Sequence, residues 1–248
     1  MSEPLVRSYV HDGWLEISLN RPKRRNALIG PLVDELFAAF DAADRDDAVH
    51  VVLLRGEGGA FCSGLDLKEF AADPPPDWMP AFSGAWRGLH ERIFRSRTPL
   101  VGALERCAIN GGAALALACD LLVAGDEAFL QVGEVQGGMA APMNVAWLRL
   151  RHPESVAMNV ALTGRRIAGP ELVRLGVALS SVPDETVADR ARELAAQLAG
   201  YPEGALARIK GAIRGYAPED AAAWFDRASA SDPLRGFTPQ VPPTRVQA

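Results

Sequence analysis

The sequence predicts an α/β protein with a helical C-terminal part. Through the first two thirds of its 248 residues, short apolar runs typical of buried strands alternate with stretches of helical spacing, and this alternation favours βαβ units. Nearer the C-terminus, apolar residues recur with the helical period alone. We therefore place an α/β core at residues 1–195 and a helical region with an irregular tail at residues 196–248.

Composition narrows the class of protein. With 48% hydrophobic and 23% charged residues, the chain has the make-up of an ordinary globular protein. The net charge of −5 and the lack of a long basic run argue against nucleic acid as a partner. The three cysteines have no C-x-x-C spacing, so we expect buried thiols and neither disulfides nor a metal site. No signal-like or membrane-spanning run is present, so we expect a cytoplasmic protein without a membrane partner.

The N-terminal elements follow from turn signals and periodicity. Asp12-Gly13 separates two runs of β-forming residues, Leu5–Val10 and Trp14–Leu19, which is typical of a β-hairpin. From about Pro31 the apolar residues have helical spacing, and proline suits the first turn of a helix. The continuous apolar run Val51–Leu54 predicts a strand that is covered on both faces.

Two glycine-rich turns, each followed by a helix, are the most informative local pattern. The first, Gly56–Gly59, leads towards a helix that carries Asp66 and Glu69, and the second, Gly111-Gly112, opens a run of small apolar residues that ends at Asp120. N–H groups at a helix start lack partners and lie at the positive end of the helix dipole, so they suit an atom that develops negative charge. The alternative is that small residues here only allow two elements to pack closely.

The remaining elements are predicted from apolar runs, helical spacing and Gly/Pro breaks. We expect buried strands at Pro99–Leu104 and Leu121–Ala124, and an irregular tail at Asp232–Ala248. The predicted helices are one through Trp86, Leu89, His90 and Ile93, one closed by Thr163-Gly164, one opened by Gly169-Pro170-Glu171, and three amphipathic helices at Val187–Leu198, Ala205–Ile213 and Ala221–Ala228.

Five segments together carry a family resemblance: Asn20–Leu28, Gly58–Leu67, Pro99–Asp120, Ala161–Ile167 and Leu175–Ala178. The combination, which spans about residues 5–215, resembles the crotonase (enoyl-CoA hydratase/isomerase) superfamily. The resemblance implies a spiral of ββα units with a C-terminal helical trimerisation region, in a homo-oligomer that is a trimer or a dimer of trimers. It implies an acyl-CoA thioester substrate and no separate cofactor, since coenzyme A is part of the substrate.

The resemblance also implies a set of site residues. The backbone N–H groups that polarise the thioester oxygen in the family fall on Leu65 and Gly111, and a catalytic carboxylate falls on Glu134. For Asp66 a helix cap is an alternative, and for Arg24 and Arg25 a solvated loop. The residues that we expect to contact coenzyme A or the substrate are Arg24, Arg25, Ala27, Ser63, Asp66, Leu67 and Asn110.

One departure from the family pattern decides between chemistries. The hydratases carry two catalytic glutamates, and the first of these positions falls on Ala114, which moves no proton. A single carboxylate suffices to shift a double bond through an enolate, and the Δ3,Δ2-enoyl-CoA isomerases of the superfamily resemble this arrangement. We therefore predict an enoyl-CoA isomerase type of enzyme with Glu134 as the proton shuttle.

Two other readings of the same residues stay open. One is a hydratase, dehydratase or decarboxylase in which a substitute group such as Glu105 assists Glu134, although a structural role for Glu105 is the simpler interpretation. The other is a non-catalytic acyl-CoA-binding subunit, which Ala114 motivates. The loop Gln136–Asn144 differs from its hydratase counterpart, and we expect it to shape the acyl pocket, with its two methionines against apolar space.

Overall fold

A computed structural model of the chain describes residues 3–215 and 220–229, so the tail predicted at Asp232–Ala248 lies outside the described residues. The strands are β1 Val6–His11, β2 Trp14–Leu19, β3 Val51–Gly56, β4 Leu100–Leu104, β5 Cys107–Ile109, β6 Leu121–Gly125, β7 Phe129–Gln131, β8 Ile167–Ala168 and β9 Ser180–Val182. The α-helices are α1 Gly30–Arg45, α2 Leu67–Phe70, α3 Met79–Arg95, α4 Gly111–Ala118, α5 Pro142–Arg151, α6 Glu154–Thr163, α7 Gly169–Arg174, α8 Val187–Ala199, α9 Ala205–Arg214 and α10 Ala221–Ser229.

These strands form two sheets. The larger has the order β1-β2-β3-β4-β6-β9, and it is parallel except for the hairpin of β1 and β2. The hairpin turns at Asp12-Gly13 as predicted, with Gly13 at φ +77°, where glycine has no steric penalty. The smaller sheet has the order β5-β7-β8. The predicted α/β class with C-terminal helices is therefore confirmed.

The central strands of the large sheet are covered on both faces. Every residue of β2, β3 and β4 is buried. Along β3, Val52 and Leu54 belong to the main core, whereas Val51 and Leu53 pack with α8. Because successive strand residues point to opposite faces, an unbroken apolar run is what such a strand requires, and the sequence prediction at Val51–Leu54 is confirmed.

The C-terminal helices return to this core. Phe225 of α10 is fully buried, and its ring lies 5.4 Å from that of Trp147 in α5. In α9, Lys210 donates to the carbonyl oxygen of Thr98, ahead of β4, at 2.8 Å. The three amphipathic helices thus lie within two residues of their predicted bounds, while the division of the chain at residue 195 stays a prediction. None of the described helices is long and apolar enough to cross a bilayer.

Candidate active site

Hydrogen bonds hold the two glycine turns together. Cys62 N donates to the Cys107 carbonyl oxygen at 3.0 Å, and Ile109 N donates to that of Cys62 at 3.1 Å. The approach is so close that a Cβ on Gly64 would lie 2.7 Å from the Ile109 oxygen, and a Cβ on Gly112 would lie 2.3 Å from the Cys62 oxygen. A side chain at either position would collide with a backbone oxygen, so Gly64 and Gly112 allow this close approach.

Leu65 and Gly111, the predicted oxyanion donors, lie directly beyond these contacts. Leu28 N donates to Gly64 O at 2.7 Å and Leu28 O accepts from Asp66 N at 3.0 Å, so the N–H of Leu65 between them points away from Leu28. Gly111 is the first residue of α4, where an N–H has no acceptor within the helix. Neither N–H donates a hydrogen bond to a described residue, and both are available to an incoming oxygen.

Glu134 follows β7 and begins a short 3-10 segment, Glu134–Gly137. Its Oε1 accepts a hydrogen bond of 2.8 Å from Asn144 Nδ2. Its Oε2 is buried and has no partner among the described residues. Burial raises the pKa of Glu134 to about 7, against a smaller lowering by its own backbone amide and by Asn144. A carboxyl group that titrates near neutral pH is suited to take up and return a proton.

Asn110 connects Glu134 to the predicted oxyanion donors. Its Oδ1 accepts from Gly133 N at 2.8 Å, and its carbonyl oxygen accepts from Asn144 Nδ2 at 3.2 Å. The residue has φ +51°, a region that asparagine tolerates better than most residues. Since Gly133 precedes Glu134 and Gly111 follows Asn110, the predicted residues Leu65, Asn110, Gly111 and Glu134 lie in one region. Contact of Asn110 with the substrate stays a prediction.

Ala114 is the residue that we predict at the position of the first hydratase glutamate. It lies one turn into α4, with its N–H bonded to the Asn110 carbonyl oxygen at 3.0 Å, and it is fully buried. The helix is buried from Gly112 to Ala118, and this is the reason for its run of small residues. A methyl group here cannot take up or donate a proton.

The residues predicted to bind coenzyme A lie on two adjoining segments. Asp66 pairs with Arg24, with N–O distances of 2.9 and 3.1 Å, and with Arg21 at 3.1 Å. Burial alone would raise the pKa of Asp66, but these hydrogen bonds lower it. Asp66 is the N-cap residue of α2, as the helix-cap alternative places it. Its side chain makes no cap bond, so the carboxylate serves the ion pairs and does not cap the helix.

The other predicted contacts differ in exposure. Arg25 is exposed at φ +49°, and Ser63 Oγ donates to the Arg24 carbonyl oxygen at 3.3 Å. Ala27 is buried, whereas Leu67 is exposed at the start of α2. The solvated-loop alternative fits Arg25 better than Arg24, whose guanidinium is paired. Coenzyme A binding by these residues stays a prediction.

Glu105 lies in a separate ion cluster in the large sheet. Its Oε2 is 3.6 Å from Arg55 Nε, and Arg55 also contacts Glu16 at 3.3 Å. Burial raises the pKa of Glu105, opposed by Arg55 and Arg192. No hydrogen bond or ion pair of the described residues joins Glu105 to Glu134, which favours the structural interpretation of Glu105.

Asn144, whose side chain is hydrogen-bonded to Glu134, was not singled out from the sequence. It was included only within the acyl-pocket loop Gln136–Asn144, although a lone amide in the apolar first turn of α5 was a usable signal. A second missed feature is the aromatic row of α3, Trp78, Phe82, Trp86, His90 and Phe94, at a constant spacing of four residues. Trp86 Cζ2 lies 3.6 Å from where a Cβ of Gly111 would stand.

His90 is not an acid or base of this site. It is fully buried, its Nδ1 accepts from Trp147 Nε1 at 2.9 Å, and burial lowers its pKa to about 3. The imidazole is therefore neutral. Among the described residues, no group of three or more His, Cys, Asp or Glu side chains is arranged to hold a metal ion.

Comparison with known proteins agrees with this geometry. The family model for enoyl-CoA hydratase/isomerase matches residues 10–225. The chain is 31% identical to the 1,2-epoxyphenylacetyl-CoA isomerase of Escherichia coli, over 84% of this chain and 81% of the relative. It is 35% identical to the carnitinyl-CoA dehydratase of Proteus mirabilis, over 79% of this chain and 75% of the relative.

Solved structures show the same fold. The crystal structure of an enoyl-CoA hydratase/isomerase from Xanthobacter autotrophicus superposes with a TM-score of 0.83 at 26% identity, covering 94% of this chain and 87% of that one. The chain thus belongs to the enoyl-CoA hydratase/isomerase family, whose members act on acyl-CoA thioesters. The predicted crotonase resemblance is confirmed.

Proposed function

We propose that this protein is an enoyl-CoA isomerase in which Glu134 moves a proton from C2 to C4 of a 3-enoyl-CoA thioester. The observation that carries the proposal is the environment of Glu134. Its carboxyl group is buried, titrates near neutral pH and lies beside Asn110-Gly111, while Ala114 stands where we expect the first hydratase glutamate.

The reaction needs no co-reactant. The N–H groups of Leu65 and Gly111 donate to the thioester oxygen, and Glu134 takes a proton from C2. The C–H electron pair forms an enolate whose negative oxygen the two amides stabilise. Protonation at C4 by Glu134 then moves the double bond from C3–C4 to C2–C3 and restores the carboxylate. Removal of one such donor typically costs about 3–4 kcal/mol of transition-state stabilisation.

The partners of this reaction follow from the sequence and belong to the same proposal. Arg24, Arg25, Ala27, Ser63, Asp66 and Leu67 hold the coenzyme A part of the thioester, which makes a separate cofactor unnecessary. The protein acts in the cytoplasm as a trimer or a dimer of trimers. Exposed apolar side chains such as Leu162, Ile209 and Ile213, at 60–67% exposure, favour assembly over a monomer.

A second candidate, hydration or dehydration, is favoured by one observation. Glu134 Oε2 and Asn144 Oδ1 are both buried acceptors without a partner among the described residues. Two such acceptors suit a donor such as water or a substrate hydroxyl. The likeness to a carnitinyl-CoA dehydratase points the same way.

The test is a paired assay of wild type, Glu134→Gln and Glu105→Gln. Each protein is given 3-enoyl-CoA and trans-2-enoyl-CoA thioesters of several acyl types, conjugation is followed by ultraviolet absorbance, and products are identified by mass. Conjugation that Glu134→Gln loses and Glu105→Gln keeps supports the isomerase. Conversion of 2-enoyl-CoA to 3-hydroxyacyl-CoA as the main reaction identifies a hydratase. Tight thioester binding without turnover on the whole panel leaves a binding subunit.

A further inference from the structure

The amide of Asn144 has a fixed orientation. Its Nδ2 donates to Glu134 Oε1 at 2.8 Å and to the Asn110 carbonyl oxygen at 3.2 Å. Because a carboxylate and a carbonyl oxygen only accept, the nitrogen of the amide must face them and its oxygen must face away. Asn144 is 2% exposed, so burial restricts the side chain to this orientation.

This contact makes the two oxygens of Glu134 unequal. Oε1 is held by Asn144, whereas Oε2 is buried without a partner among the described residues. A hydrogen bond to a carboxylate oxygen stabilises its negative charge. The oxygen that lacks such a bond keeps more of the negative charge and is therefore the more basic of the two.

We propose that Asn144 is a positioning residue that holds Glu134 by Oε1 and thereby selects Oε2 as the oxygen that takes and returns the proton. The inference rests on the proposed proton-transfer role of Glu134. It adds the side chain that orients this group, which the sequence pattern of the family signatures does not identify.

Asn144 also ties the acid–base group to the oxyanion side of the site. The carbonyl oxygen that shares its Nδ2 belongs to Asn110, the residue before Gly111. Asn144 is the third residue of α5, between the buried side chains of Met143 and Trp147. A side chain anchored on a packed helix restrains the carboxylate more than a loop residue does.

Asn144 is also the side chain that lowers the pKa of Glu134. Burial raises the pKa of Glu134, and the groups that oppose it are its own backbone amide and Asn144. No charged side chain of the described residues contributes to this shift. Loss of the Asn144 donor therefore has a direct readout in the titration of Glu134.

The experiment compares wild type with Asn144→Leu, which keeps a similar volume and removes the donor. Val145→Ala, a change at the exposed neighbouring position on α5, is the matched control. Steady-state rates are measured against pH with the 3-enoyl-CoA that the wild type converts best. Separately, without substrate, the carboxyl pKa of Glu134 is measured by ¹³C NMR, with its signal assigned by its loss in Glu134→Gln.

For Asn144→Leu we expect kcat to fall about 10- to 100-fold with KM changed less than about threefold, because the backbone donors are unaffected. The pKa of Glu134 should rise by about one unit, both in the rate profile and by NMR. Val145→Ala should match wild type. If Asn144→Leu fails to fold, Asn144→Asp keeps the shape and replaces the donor by an acceptor, and should raise the pKa of Glu134 as well.

An unchanged pKa and a kcat within about twofold of wild type in the folded variant would overturn the inference. A wild type that converts no thioester would instead overturn the proposed function. In that case the NMR titration still decides whether Asn144 holds Glu134, so the two failures are distinguishable.

Discussion

Two carboxylates fourteen residues apart, Asp120 and Glu134, show what decides the behaviour of a buried acid. Asp120 accepts from Leu100 N at 2.9 Å and lies within 2.7–3.3 Å of three cations, Lys210, Arg151 and Arg214. Burial alone would raise the pKa of Asp120, but the cations, Lys210 first, lower it. Glu134 has a neutral amide as its only side-chain partner among the described residues, and its pKa is raised to about 7.

The comparison separates a structural carboxylate, Asp120, from the carboxylate that we propose to be catalytic, Glu134. Asp120 is ionised throughout the physiological range and ties α5 and α9 to the start of β6, so its value lies in stability. Glu134 is left short of partners at a cost in stability, and this keeps its proton exchangeable. Both acids are buried, and their pKa values shift in opposite directions because only Asp120 has cations around it.

The largest expected effect comes from the change of carboxylate to amide at Glu134. Glu134→Gln should lower the rate of conjugation of a 3-enoyl-CoA by about 10²- to 10⁴-fold, the usual contribution of a general acid–base group. Its free energy of unfolding should be equal to or above that of wild type, since a poorly paired buried acid is removed. Initial rates measure the conjugation, and urea unfolding measures the free energy of unfolding. Retained activity would contradict the assigned roles.

The same chemical change at Asp120 should lower stability and leave activity nearly unchanged. Asp120→Asn leaves three partly buried cations without their anion, and we expect a loss of about 3–5 kcal/mol in the free energy of unfolding. Asp47→Asn, at an exposed position, is the control and should stay within about 0.5 kcal/mol of wild type. Activity at a temperature where the Asp120 variant is folded should remain near that of wild type.

The contributions of Glu134 and Asp120 to the free energy of unfolding should also change with pH in opposite directions. Glu134 has a folded pKa above its unfolded value of 4.5, so the folded state binds the extra proton between about pH 4.5 and 7. Its contribution is present below pH 4.5 and is lost as the pH rises through about 7. Asp120 has a lowered folded pKa, so its contribution is present above its unfolded value of 3.8 and is lost on further acidification.

The contribution of Glu134 to the pH dependence of stability is measured as the difference between wild type and Glu134→Gln. From pH 8 to pH 5, the stability of wild type relative to Glu134→Gln should increase by on the order of 1 to 2 kcal/mol. Urea unfolding at several pH values gives the difference directly. A flat difference would mean that Glu134 titrates near its unfolded value. The rate of conjugation should rise with pH to a plateau above about 7.

The smallest effect is expected for one of the cations around Asp120. Arg214→Met should change the free energy of unfolding by less than about 1 kcal/mol, because Lys210 and Arg151 still pair with Asp120 and repulsion among the cations is relieved. Methionine also keeps apolar contact where Arg214 lies over Phe94 and Trp147. Arg151→Met should cost more, since Arg151 also bonds the carbonyl oxygens of Ala118 and Cys119. If the two substitutions lowered the free energy of unfolding equally, charge alone would account for the contribution of each cation to stability.

Local signals in the sequence were sufficient for most of the fold. Asp12-Gly13 predicts its hairpin because a turn with φ above zero needs glycine, and Val51–Leu54 predicts a strand covered on both faces because every side chain is apolar. Gly111-Gly112 followed by small residues predicts a packed helix. The partners of the Asp66 carboxylate were not predicted, since the two arginines that bind it lie more than forty positions away in the chain.

The sequence by itself determined the α/β architecture and the family, because these depend on periodicity, composition and characteristic segments. The match of Ala114 to the first hydratase glutamate stays a prediction. Tertiary structure alone decided that Glu134 is held by Asn144 and lies beside Asn110-Gly111, that Asp120 is surrounded by cations from α5 and α9, and that Glu105 belongs to a separate cluster. The physical reason is that a pKa and a hydrogen bond depend on which side chains meet in space, and these come from elements that are distant in the chain.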